Sequence, residues 1–91
     1  MAAEAGRIVV PHCWKTGIGI AASAAMAAVT PHCAYIEYLP ADLCNSSLRK
    51  ELTVNDELVL QADGTIPLPS RPGLGIELSQ KAMELYEVEK R

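Results

Sequence analysis

Two residues in this 91-residue chain have the types and the placement to move a proton: His12 and Glu37. His12 follows the β-branched run Ile8-Val9-Val10, which Pro11 stops. Glu37 lies near the end of a second strand-like run, Ala34-Tyr35-Ile36-Glu37-Tyr38. In parallel α/β sheets and barrels, reacting groups gather beyond the C-terminal ends of the strands. Adjacent strands are about 4.8 Å apart, so an imidazole and a carboxylate there can share one pocket. An imidazole exchanges protons near neutral pH, and a carboxylate beside it stabilises charge. The competing reading makes His12 a rim histidine and Glu37 a salt-bridged surface group.

Other residues suggest weaker chemistry. Pro-His-Cys occurs at 11–13 and again at 31–33, so His12, Cys13, His32 and Cys33 supply two imidazoles and two thiols. That is a zinc ligand set by type but not by spacing, since zinc modules pair ligands two to four residues apart. Thr16-Gly17-Ile18-Gly19 opens a helix, where free N–H groups can meet an anion. The same glycines also serve close packing. Lys15, just before them, is a candidate contact for a substrate carboxylate, and Trp14 a candidate substrate wall. Cys13 and Cys44 read as small apolar fillers.

The elements that must position these residues follow from the punctuation. Ala2–Gly6 reads as the last turn of a helix that Gly6 ends. Ile8–Val10 is apolar without alternation, as in a strand covered on both faces. Thr16 N-caps a helix from about Gly17 to Val29, which Thr30-Pro31 ends. Strand, helix and second strand fill about 30 residues, the size of a βαβ unit. Within the helix only Ser23 is polar. A helix apolar all round requires burial on most sides. Nothing else in the chain is large enough to surround it, so these residues belong inside a larger assembly.

The second half differs. Arg49–Glu57 is polar and charged. Ala62-Asp63-Gly64-Thr65 between Leu58-Val59-Leu60 and Ile66-Pro67-Leu68 predicts a hairpin. Pro67 and Pro69 confine its second strand to an edge. Pro72-Gly73-Leu74-Gly75 is a turn, and Ser79 caps a final helix through about Val88. The predicted division is 1–52 and 53–91.

Composition excludes several classes. Net charge is −3, with no Lys/Arg cluster to neutralise phosphates, which argues against nucleic acid as a partner. The apolar run 17–29 is far shorter than the roughly 20 residues of a bilayer span. It also lies too far from Met1, without a basic lead-in, to be a signal peptide. Three widely spaced cysteines give no disulfide framework, and a reducing cytoplasm is the expected location. With no Phe and four aromatics, the core has few large anchors.

The residues resemble a family. Val10-Pro11-His12-Cys13-Trp14, Gly17-Ile18-Gly19-Ile20-Ala21-Ala22-Ser23 and Ile36-Glu37-Tyr38 look like the C-terminal part of an enolase-superfamily protein of the mandelate racemase/muconate lactonizing enzyme type. Asp63–Pro69 and Pro72–Glu77 are similar to that family's closing segment. The resemblance covers nearly the whole chain, in order. It implies an α/β fold: the last two strands and connecting helix of a modified (β/α) barrel, then a C-terminal hairpin and helix, incomplete as an isolated chain.

The resemblance also implies chemistry. Family members abstract the proton α to a carboxylate and stabilise the enediolate on Mg²⁺. His12 would be the general acid/base, and Glu37 would hydrogen-bond the substrate carboxylate as charge builds. The family's Mg²⁺ ligands, its His-orienting Asp and its Lys base lie on strands this chain does not contain. The expected function is therefore the C-terminal part of a Mg²⁺-dependent lyase or isomerase acting on a sugar acid or small carboxylate, inactive alone. The alternatives are a non-catalytic interaction module or gene remnant that folds on docking to a partner, as a homo-oligomer or complementing fragment, and a small zinc domain.

Overall fold

The computed structural model describes residues 1–14, 16–54 and 58–89. Lys15 lies outside the described residues. The elements in chain order are helix α1 (Gly17–Val29), a 3-10 turn (Ala41–Leu43), α2 (Ser47–Glu51), β1 (Thr53–Val54), β2 (Glu77–Leu78) and α3 (Gln80–Leu85).

The N-terminal turn closes as the glycine predicts. Gly6 has φ +64°, the Arg7 N–H donates to the Ala2 carbonyl (2.9 Å), and the Gly6 N–H donates to that of Ala3 (3.0 Å). These are the two bonds of a Schellman motif, although no full helical element precedes them.

Helix α1 has the predicted bounds, with Thr16 extended at the N-cap, but the Thr16 side chain makes no capping bond. Its buried residues are Gly17, Ile20, Ala21 and Ala24, one stripe at helical spacing. Ala22, Ala25, Met26, Ala28 and Val29 are exposed. The burial expected on the remaining sides is absent among the described residues.

After α1, the Cys33 N–H donates to the Thr30 carbonyl (3.2 Å), closing a turn with Pro31 second and His32 third. His32 has φ +60°, the one non-glycine residue with positive φ among those described. Pro in the second position and positive φ in the third is the pattern of a type II turn, where glycine is preferred. Left-handed backbone costs an L-residue roughly 1–2 kcal/mol. His32→Gly is expected to raise the melting temperature by a few degrees, part of the gain being offset by the freer unfolded chain. Thermal unfolding followed by circular dichroism checks this; an unchanged or lower midpoint would contradict it.

The two expected strands are extended but do not form a regular ladder. The Val9 N–H donates to the His32 carbonyl (3.2 Å), and the Glu37 N–H donates to that of Pro11 (3.1 Å). The segments therefore lie side by side and parallel. Pro11 has no N–H to contribute, and five residues on one segment span two on the other. A regular parallel pair would need only four, so the second segment carries a bulge.

The segment 8–14 nevertheless alternates. Pro11 and Cys13 are buried and Val9 is half-buried, whereas Ile8, Val10, His12 and Trp14 are exposed. The odd residues face the side where α1 packs, and the even ones face the other way.

The predicted hairpin reduces to its turn. The Gly64 N–H donates to the Gln61 carbonyl (3.0 Å) and the Gln61 N–H to that of Thr65 (2.8 Å), with Gly64 at φ +83°. The flanks form no strand pair, and Pro67 and Pro69 remove donors on one side. Asp63 Oδ1 accepts from the Thr65 N–H (3.0 Å) and hydroxyl (2.7 Å). The Thr65 hydroxyl, then its N–H, hold the Asp63 carboxyl below its usual range. A carboxylate so depressed favours the folded turn above its unfolded pKa and loses that contribution as pH falls through the folded value. Side-chain carboxyl NMR shifts are expected to place the Asp63 midpoint below that of Thr65→Val; equal midpoints would contradict the bonding.

Instead of a hairpin ladder, β1 pairs antiparallel with β2 in the register Thr53 with Leu78 and Val54 with Glu77. Ser46 caps α2 by accepting from the Arg49 N–H (3.3 Å), and Ser79 caps α3 by accepting from the Ala82 N–H (3.2 Å). Helix α3 ends at Leu85, short of the expected Val88. The core joins Cys13, Ile20, Ala21, Ala24 and Leu58, with Ile36, Tyr38, Ile66 and Ile76 packed against it. Tyr38 extends this packing by donating from its hydroxyl to the Leu58 carbonyl (2.9 Å).

The whole is more open than a self-sufficient domain. The Cα radius of gyration is 14.7 Å, against about 12 Å for a compact chain of this length. The accessible surface is 6758 Å², against about 5,200 Å² expected from its mass.

Candidate active site

The parallel approach of the two segments brings His12 and Glu37 together. Nδ1 of His12 is paired with Oε2 of Glu37. The same oxygen accepts from the Cys13 N–H at 3.0 Å. The Glu37 side chain is 34% exposed and that of His12 is 79% exposed. A carboxylate bound by a main-chain amide on one side and an imidazole on the other has its orientation fixed. With Nδ1 occupied, Nε2 is the ring atom left to exchange protons.

The sequence reading missed the part played by Cys13. Its Sγ is packed toward α1, and a Cβ on Gly19 would lie 2.9 Å from it. Its N–H, meanwhile, holds the Glu37 carboxylate. Only the alternation of the extended segment separates these two jobs, and the bulge that sets the alignment has no signature in the sequence. A Cβ on Gly17 would lie 2.7 Å from Thr53 Oγ1. Both glycines thus permit close approach, the packing role that the sequence offered beside anion binding.

Trp14 is 61% exposed. With His12, Cys13, Gly19 and Ser23 it lines an open concavity of about 600 Å³. The indole and the imidazole share this concavity.

The zinc arrangement does not form. The Val9–His32 bond sets the second Pro-His-Cys at the opposite end of the paired segments from His12 and Glu37. Cys13 is buried, whereas both histidines are exposed. Among the described residues no group of three or more His, Cys, Asp or Glu side chains could hold a metal ion. The described residues therefore do not fit Mg²⁺ either. No helix among them is long and apolar enough to cross a membrane.

Parallel extended segments joined by a helix, with His12 and Glu37 paired at their C-terminal ends, place the chain in the α/β class. Residues 1–82 match the family described as enolase C-terminal domain-like, and the chain belongs to that family. It is 33% identical over 85 residues to a D-galactarolactone cycloisomerase of Agrobacterium fabrum strain C58. The match covers 88% of this chain and 22% of that protein, so the chain spans about a fifth of its relative. No solved structure matches the chain.

Proposed function

We propose that this chain forms the last two βα-type segments of an enolase-superfamily lyase or isomerase barrel and supplies its acid/base histidine. The observation that carries this reading is the His12–Glu37 pair, set at the C-terminal ends of two parallel segments. In this role Nε2 of His12 exchanges the proton at the carbon α to the substrate's carboxyl or lactone carbonyl. Glu37 keeps the ring oriented through Nδ1 and supplies negative charge that stabilises the imidazolium. Lys15 and Trp14 are the proposed substrate contacts.

The relative's name makes a sugar-acid lactone the first substrate to test. Mg²⁺ in the complete barrel is assigned to residues outside this chain. We accordingly expect no turnover from the 91 residues alone.

The test is a chimera in which this chain replaces the corresponding segment of the Agrobacterium fabrum enzyme. Conversion of D-galactarolactone with Mg²⁺ present supports the reading. A folded chimera that binds the lactone but does not convert it would overturn the reading.

A further inference from the structure

Glu37 is held at two points by the segment that carries His12. The Glu37 N–H donates to the Pro11 carbonyl (3.1 Å), and its Oε2 accepts from the Cys13 N–H (3.0 Å). His12, paired with that same oxygen, lies between the two anchors. Movement of residue 13 relative to residue 11 therefore changes how the carboxylate meets the imidazole.

Helix α1 fixes residue 13. Cys13 is buried in the core with Ile20, Ala21, Ala24 and Leu58. A Cβ added at Gly19 would come within 2.9 Å of its Sγ. Carbon atoms rest at roughly 3.5–4.0 Å, and sulfur is larger. Cysteine has one side-chain torsion, and a packed core leaves its sulfur little space to swing into. Relief then comes from displacing main chain, and the Cys13 N–H travels with it.

Positioning and stability are separable at Gly19. Within a helix alanine is favoured over glycine. Gly19→Ala thus strengthens α1 locally while it crowds Cys13.

We propose that Gly19 and Cys13 are positioning residues for the His12–Glu37 pair. The close approach at Gly19 sets where the Cys13 N–H stands, and that N–H sets how Glu37 faces the imidazole. The effect on rate rests on the acid/base role proposed for His12, whereas the geometric coupling does not. Every contact in the relay lies within this chain.

The test compares three forms of the chimera: unsubstituted, Gly19→Ala, and Gly19→Ala combined with Cys13→Ala. Removing the thiol vacates the space that the new Cβ takes, so the second substitution should undo the first. A misplacement of about 1 Å can cost about 10²-fold in rate, so Gly19→Ala is expected to lower kcat by about 10–100-fold. KM should change by less than about twofold, because the substrate contacts are untouched. The double variant is expected to recover most of the lost rate. Crystal structures should show the Cys13–Glu37 bond broken in Gly19→Ala and present in the double variant.

In an active chimera, an unchanged kcat for Gly19→Ala would overturn the positioning role, as would a double variant as slow as the single. In any chimera, a Cys13–Glu37 bond that survives Gly19→Ala would overturn it. So would a Gly19→Ala chimera that fails to fold, because the glycine would then serve the fold and not the pair. An unsubstituted chimera that binds the lactone without converting it overturns the role of His12 instead, and the three crystal structures then decide the coupling.

Discussion

In the chimera, His12→Asn is expected to lower the rate of lactone conversion by about 10²–10⁴-fold, the range of a positioned general acid/base. Asn retains polarity and can still face Glu37, so the loss reports on the proton and not on packing. His12 is 79% exposed, which makes the fold indifferent to the change. Glu37→Gln is expected to cost less than His12→Asn. Its amide oxygen can still accept from the Cys13 N–H, but it supplies no charge to the imidazolium. Steady-state rates and substrate affinity, measured for both variants, check the order. A His12→Asn chimera that keeps its rate would remove His12 from the reaction.

The largest effect on stability is expected at Gly75. It has φ +70°, and a Cβ built there would lie 2.2 Å from the Pro69 Cβ and 3.4 Å from the Arg71 carbonyl oxygen. A ring atom of proline has little freedom to withdraw. Gly75→Ala therefore combines backbone strain of about 1–2 kcal/mol with overpacking of about 1–3 kcal/mol. The damage should spread forward. Gly75 bonds to the Pro72 carbonyl (3.2 Å), Ile76 packs on the core, Glu77 pairs with Val54, and the Ser79 N–H donates to the Leu52 carbonyl (2.8 Å). Gly73→Ala separates the two contributions, because Gly73 shares the positive φ (+68°) but has open space around its Cβ position. Thermal melts should show Gly75→Ala well below Gly73→Ala, with faster amide exchange at Ser79. Equal midpoints would mean that the Pro69 contact relaxes freely.

Some of this was legible before the structure. The bounds of α1 followed from the apolar run between Thr16 and Thr30-Pro31, which are local signals. The turn at Gly6, the Asp63-Gly64 turn and the Ser79 cap were readable for the same reason. So was the meeting of His12 and Glu37, because two strand ends joined by one helix are neighbours in a βαβ unit.

The remainder depended on contacts between distant residues. The β1–β2 pair has two residues per strand, and its closest partners, Val54 and Glu77, stand 23 positions apart, so no periodicity announces it. The five-residue helix α2 is set by the Ser46 cap within a charged stretch that reads as loop. The ladder failed at Pro11 and at a bulge, and a bulge is a matter of register. The all-apolar surface of α1 is covered on one stripe only, and Ala25, Met26 and Val29 are exposed.

The central claim is that His12 transfers the α-proton, and its most direct test is deuterium exchange. The chimera is incubated with D-galactarolactone in D₂O with Mg²⁺, and deuterium at the α-carbon is followed by NMR. Incorporation that depends on His12 and disappears in His12→Asn is the predicted result. Conversion with equal deuterium uptake in the His12→Asn chimera would contradict the claim and place the proton transfer on another group.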